Sequence, residues 1–242
     1  MVARHVISEL SQRIRTIERA SHRCAPQSDI TFNGLPGLER LLGEAGWPRG
    51  CLVEWLAEGC GTGSTGLALW ARREAWRDNL LVMIDSRREL HAPATMPFAV
   101  DLSRAVFIRP EHPPDALWSL EQALSLEQAL RTRGIGAVVC DVEKLSSQAC
   151  RRLQLAAEVG GGMGILLRPA QARGQPSFAE YRFLVQPLPP PIKSAAAVSR
   201  RWRVELVRAR RQFTERSVIV ELSNGPDGLC VVSELDSATP AA

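Results

Sequence analysis

Apolar and polar positions divide the chain into helix-period and strand-length stretches. Residues 1–22 place Val6, Leu10, Ile14 and Ile17 at three- and four-residue spacing, with Glu9, Arg13, Arg15 and Arg19 between them. That period predicts an amphipathic helix, followed by a polar linker, RCAPQSDITFN. In GLPGLERLLGEAGWPRG, 34–50, Leu38, Leu41 and Leu42 predict a short helix closed by Gly43 and Gly46. Apolar runs of strand length follow at 51–56, 79–85, 104–110, 135–141 and 163–169. Helical spacing fills the gaps at 64–77, 116–134 and 147–160. The helix at 116–134 carries a tandem SLEQAL hexapeptide, which is no multiple of the helical period and reads as a small duplication. Strands alternating with helices predict βαβ units and a mostly parallel sheet.

The texture changes after residue 170. AQARGQPS is a polar loop, YRFLVQPL a further strand, and PLPPPIKSAAAVS a proline-rich connector. RRWRVELVRARRQ alternates, with Trp202, Val204 and Leu206 on one face and Arg201, Arg203 and Glu205 on the other. Two more strands joined by an NGPDG turn predict an antiparallel end to the sheet. The expected organisation is an N-terminal helix and linker (1–29), an α/β core (30–190), a C-terminal β extension (191–235) and a tail (236–242).

In parallel sheets of this kind ligands sit at the C-terminal strand ends. EGCGTGSTG, Asp85 and Asp141 all fall there. The first of these lies between a strand and a helix, the layout of a phosphate-binding loop. Such a loop needs a lysine beside its last glycine to reach the β- and γ-phosphates. Ser64 stands in that place.

Composition narrows the reading only a little. A formal net charge of +4 is weak evidence for a nucleic-acid partner. The six cysteines form no CxxC pair and the four histidines have no ligand spacing, so no metal site is expected. No apolar run approaches the roughly 20 residues that span a bilayer, and MVARHVISELSQRIR lacks the apolar core of a signal peptide. A cytoplasmic protein is the expectation.

The order of these motifs resembles the RecA-like ATPase core. FNGLPGLERLLGEAGWPRGCLVEWLAEG is similar to the entry into its phosphate loop, IGAVVCD to its Walker B strand and MGILLRP to the strand before its second DNA loop. More narrowly, GWPRG, CRRLQLAAEVGGGMGILLRP and RRWRVELVRARR resemble the ImuA family. Position by position, Gly63, Ser64 and Thr65 take the place of the Gly-Lys-Thr triplet, and Glu58 that of the first loop glycine. Asp141 matches the Walker B aspartate, Arg87 stands where the RecA family carries its catalytic glutamate, and Arg168 where the RecA family carries a phosphate-sensing glutamine. The lysine and the glutamate supply charge stabilisation and water activation in phosphoryl transfer. An arginine cannot act as a base near neutral pH.

The resemblance therefore implies a vestigial nucleotide site made of Gly59, Gly61, Gly63, Ser64, Thr65 and Asp141, with no catalytic residue and no cofactor; any ATP binding would be weak. Glycines 59, 61 and 63 are expected to serve backbone geometry alone. Thr65 would still be within reach of a magnesium ion. Arg168, Arg173, Arg201, Arg203, Arg208 and Arg210 are candidate contacts to DNA phosphates or a partner, or else a solvated strand face. The implied function is that of a non-catalytic, nucleoid-associated accessory factor of SOS-induced mutagenic translesion synthesis. It would bridge an ImuB-type Y-family polymerase homologue, RecA and an error-prone DnaE-type polymerase, with non-specific single-stranded DNA and self-association through the N-terminal helix as further contacts. Two rivals are an active RecA-like DNA-dependent ATPase and a SulA-like cell-division inhibitor acting on FtsZ.

Overall fold

A computed structural model describes residues 38–42, 47–48, 50–59, 61–73, 79–130, 134–189, 200–209, 217–225 and 228–234. The expected N-terminal helix, residues 190–199 of the proline-rich connector, Arg210 and the tail lie outside the described residues. The described elements begin with α1 (Leu38–Leu42), β1 (Leu52–Ala57), α2 (Ser64–Arg72), β2 (Leu80–Ile84) and β3 (Ala105–Ile108). They continue with α3 (Pro113–Leu130), β4 (Ile135–Asp141), α4 (Ser147–Gly160) and β5 (Met163–Pro169). Four strands close the order: β6 (Tyr181–Leu188), β7 (Arg200–Ala209), β8 (Ser217–Gly225) and β9 (Gly228–Glu234).

The strands form one sheet in the order β3-β2-β4-β5-β1-β6-β7-β8-β9. The six strands from β3 to β6 are parallel to their neighbours, and β7, β8 and β9 each pair antiparallel. This is the expected mostly parallel α/β sheet with an antiparallel end. The C-terminal strands are not a separate layer, because β7 pairs along the whole of β6. Trp202, Val204 and Leu206 are buried in the same apolar cluster as the central strands, on the face the alternation predicts.

Both faces of the parallel region are covered, which is why its strands read as near-continuous apolar runs. On one face α1, α2 and the β7 side chains pack over Val53, Trp55, Phe183 and Val185. On the other, α3 and α4 cover Leu52, Val138, Cys140 and Leu166. Trp47, Trp55, Tyr181 and Phe183 are among the largest fully buried side chains. Their ring centroids lie 4.8 Å apart for Trp55–Phe183 and 5.6 Å for Trp47–Tyr181. Each such burial contributes about 1.5–3 kcal/mol relative to exposure, and edge-on aromatic pairs add about 0.5–1.5 kcal/mol. Helix α4 starts at a Ser146 cap, whose hydroxyl accepts from the Ala149 amide, and ends at left-handed Gly161.

One segment is absent from the sequence reading. Ala92–Phe98 forms a 3-10 helix with Pro97 inside it. Its apolar residues follow neither period, so no regular element announces it. It packs on the α2 side of the sheet and brings Phe98 to the mouth of the strand ends.

Candidate functional site

β1 delivers the chain to the loop at Ala57, and α2 begins at Ser64. Gly63 caps α2 with φ 85°, its carbonyl accepting from Leu67 N at 3.0 Å. Gly61 is also left-handed, at φ 75°. A side chain at Gly63 is excluded twice over, by the backbone angle and by the Trp202 indole, whose Nε1 lies 2.6 Å from where a Cβ would stand. The same Nε1 donates to the Thr62 carbonyl at 2.6 Å, so β7 holds the loop from above. Gly59 corrects the expectation that all three glycines serve backbone geometry. It is not among the positive-φ residues, and open space lies where its Cβ would be. Ser64 and Thr65 occupy the first turn of α2 and are half-buried at the cleft.

The two strand-end aspartates are both occupied. Asp85 is nearly buried. Its carboxylate accepts from Glu89 N at 3.1 Å, Leu90 N at 3.2 Å and Arg109 Nε at 3.3 Å. It therefore shapes the turn after β2. Asp141 faces Arg87, with Nε 2.8 Å from Oδ2. Partial burial pushes the Asp141 carboxyl above its ordinary value, Arg87 opposes this, and Glu89, Glu143 and Asp85 push it up further.

These elements surround a cleft of about 580 Å³ at the C-terminal edge of the sheet. Glu58, Asp85, Glu89, Asp141 and Glu143 line it against Arg87, Arg168 and Arg200. Arg168 spends its charge on Glu54, outside the cleft, so carboxylates dominate. A nucleoside triphosphate with magnesium brings negative charge to the loop and needs a free carboxylate for the metal. The loop offers Ser64 and Glu58 instead of lysine and glycine, and the Walker B position already carries a guanidinium. The residues present do not fit magnesium-nucleotide chemistry. Among the described residues, no three His, Cys, Asp or Glu side chains are grouped to hold a metal ion.

The arginines named as candidate DNA contacts divide sharply. Arg168 is corrected outright: its side chain has 0% exposure, so it presents no surface to DNA. It lies on the α3/α4 face, with Nη1 3.4 Å from both Glu54 oxygens and Nη2 donating to Gln175 Oε1 at 2.7 Å. Arg182 joins it from β6, with Nε 2.8 Å from Glu54 Oε2 in a charge contact that is not an aligned hydrogen bond. Its Nη atoms donate to the carbonyls of Ala172, Arg173 and Gln175. Ser177 Oγ completes the group, donating to Glu54 Oε1 at 2.7 Å. This Glu54–Arg168–Arg182 cluster was missed in the sequence. A sign of it is there: LVEWLA, MGILLRP and YRFLVQPL each carry one charged residue inside an apolar run.

Arg173 is exposed but pairs with Glu205 at 2.6 Å. Arg201 is half-buried, 3.5 Å from Glu221 across the β7–β8 pair. Arg208 donates to the Ser177 carbonyl. Arg203 is exposed on β7. On β7 the alternation turns Arg201 and Arg203 away from the Trp202 face, and Arg173, Arg201 and Arg208 make contacts within the molecule. Cys51, Cys140 and Cys150 are buried free thiols. Burial pushes Cys140 up to about 12, which leaves it inert.

Strand order, loop and cleft position define a RecA-like α/β protein. A solved KaiC-like protein from Pyrococcus horikoshii OT3 superposes with a TM-score of 0.57 at 16% identity, covering 84% of this chain and 99% of that one. No protein-family model matches the chain. The protein called ImuA in Caulobacter vibrioides, in strains NA1000 / CB15N and ATCC 19089 / CIP 103742 / CB 15, is 31% identical over 175 residues. The match covers 67% of this chain and 69% of that protein. The chain belongs to the ImuA family.

Proposed function

We propose that the protein is a non-catalytic RecA-like accessory factor of SOS-induced, mutagenic translesion DNA synthesis. It bridges an ImuB-type Y-family polymerase homologue, RecA and an error-prone DnaE-type polymerase, in the cytoplasm and in association with the nucleoid. No described helix is long and apolar enough to cross a membrane, which is compatible with that placement. The observation that carries the non-catalytic half is the Arg87–Asp141 contact at 2.8 Å, in a cleft whose loop has Ser64 for lysine. Arg87 stands where the catalytic glutamate would, and it pairs with the Walker B aspartate, so the two positions that serve water activation and metal binding in RecA-like ATPases are tied up in an ion pair. Family membership supports the bridging half.

The test is co-purification of the full chain with each of the three partners, alongside ATP turnover with and without single-stranded DNA. Stable binding to at least two partners at once, with turnover at background, supports the proposal. Turnover abolished by Thr65→Ala or Asp141→Ala overturns it in favour of a working ATPase.

A further inference from the structure

The turn between β2 and β3 is tied to its surroundings at every step. Asp85 N donates to Ile108 O at 2.9 Å, and the Asp85 carboxylate gathers Glu89 N, Leu90 N and Arg109. Ser86 Oγ donates to the Asp141 carbonyl at 3.2 Å, and Arg87 reaches the Asp141 carboxylate. Arg88 at the turn is left-handed, φ 59°, an angle a non-glycine residue keeps only where its neighbours over-determine it. One turn therefore fastens the C-terminal ends of β2, β3 and β4 together. The chemistry there is that of crowded carboxylates, since Asp141 feels Asp85, Glu89 and Glu143 as like charges and Arg87 as the opposing one. The opposite charge comes from Arg87, whose Nε lies 2.8 Å from Asp141 Oδ2.

We propose that the Arg87 guanidinium is a tethered counter-cation of the cleft. It supplies beside Asp141 the positive charge that a magnesium-nucleotide site would draw from its metal, and so holds the turn 85–90 on β4 in one state, independent of nucleotide and metal. The inference rests on the non-catalytic reading above and adds to it: the Walker B position is not merely unused but occupied by the chain's own guanidinium. Partners then meet a strand-end surface whose shape does not report nucleotide occupancy.

The full-length protein, Arg87→Ala, Arg87→Gln and Arg87→Lys are compared by thermal melting in MgCl2 or MnCl2, each against NaCl of equal ionic strength. Hydrogen exchange of the amides of 86–90 is followed in parallel. The wild-type melt and exchange are expected to be indifferent to either metal. Removing the guanidinium lowers Tm by about 2–4 °C and speeds exchange in the turn about fivefold; magnesium or manganese restores about half of both. Arg87→Lys keeps a cation and stays near wild type. A wild type that responds to the metals as the variants do overturns the proposal. So does a loss in Arg87→Ala and Arg87→Gln that metal does not repair, which leaves an ordinary ion pair. If Arg87→Ala does not fold, Arg87→Gln and wild-type exchange decide. ATP turnover in the same samples separates the two readings: wild-type turnover sinks the non-catalytic function, whereas metal behaviour alone decides the tether.

Discussion

Two arginine–carboxylate groups lie close to one end of the sheet, and they do different things. The Glu54–Arg168–Arg182 group is sealed between β1, β5, β6 and the Ala170–Gly174 turn, with side-chain exposures of 0%, 0% and 3%. The Arg87–Asp141 pair sits at the cleft, 36% and 27% exposed. Register decides which is which. Arg168 stands opposite Leu56 on β1, and Arg182 opposite Glu54, so both point to the α3/α4 face with the core. Asp141 is the last residue of β4, and Arg87 lies past the end of β2. The buried group sets the fit of β5 and β6 around β1, while the cleft pair sets the state of a surface. A charged residue inside a strand is thus placed by the face its register assigns it, whereas one at or past the strand end can address the cleft.

The sharpest way to break that comparison is Glu54→Gln. It strands two buried guanidinium groups, and such a change costs about 3–5 kcal/mol. Urea unfolding should show it, and a loss below 1 kcal/mol would make the cluster no more structural than the cleft pair. Next comes Gly63→Ala, which combines a left-handed angle with a collision at Trp202. A loss of about 2–3 kcal/mol is expected by the same measurement. The Gly59→Ala control should cost less than about 1 kcal/mol. Trp202→Phe removes the bond to Thr62 and part of a buried ring and should cost about 2 kcal/mol; faster hydrogen exchange confined to 61–66 would locate the effect. The smallest change is Arg203→Gln, within about 0.5 kcal/mol of wild type, and its readout is single-stranded DNA binding across a salt series. Unchanged binding assigns the exposed β7 face to solvation.

Much of the fold was legible because period and length agreed. The runs at 135–141 and 163–169 match β4 and β5 to the residue, and 147–160 matches α4. RRWRVELVRA told its two faces apart because one side alternates apolar and the other charged. The loop, Asp85 and Asp141 were legible as strand-end groups that belong together. What stayed hidden depends on pairing between distant strands. Nothing local says that Glu54 will lie between β5 and β6, so Arg168 reads as a strand-end cation until the neighbours are known. The Trp202–Thr62 bond is hidden for the same reason, joining positions 140 residues apart.

The position of β1 carries a consequence for how the chain is made. Its hydrogen-bonding neighbours, β5 and β6, begin at Met163 and Tyr181, more than a hundred residues downstream. While a ribosome is still producing α3 and β4, a strand that ends up buried along its whole length has both edges open. Neighbours this distant in sequence slow the search for native pairing, and an unpaired apolar strand invites other chains to add to it. The yield of native protein should therefore depend on translation speed through residues 60–180 and on chaperone supply more than its final stability suggests. Once β5 and β6 close on either side, the same arrangement makes β1 the last strand to be exposed again.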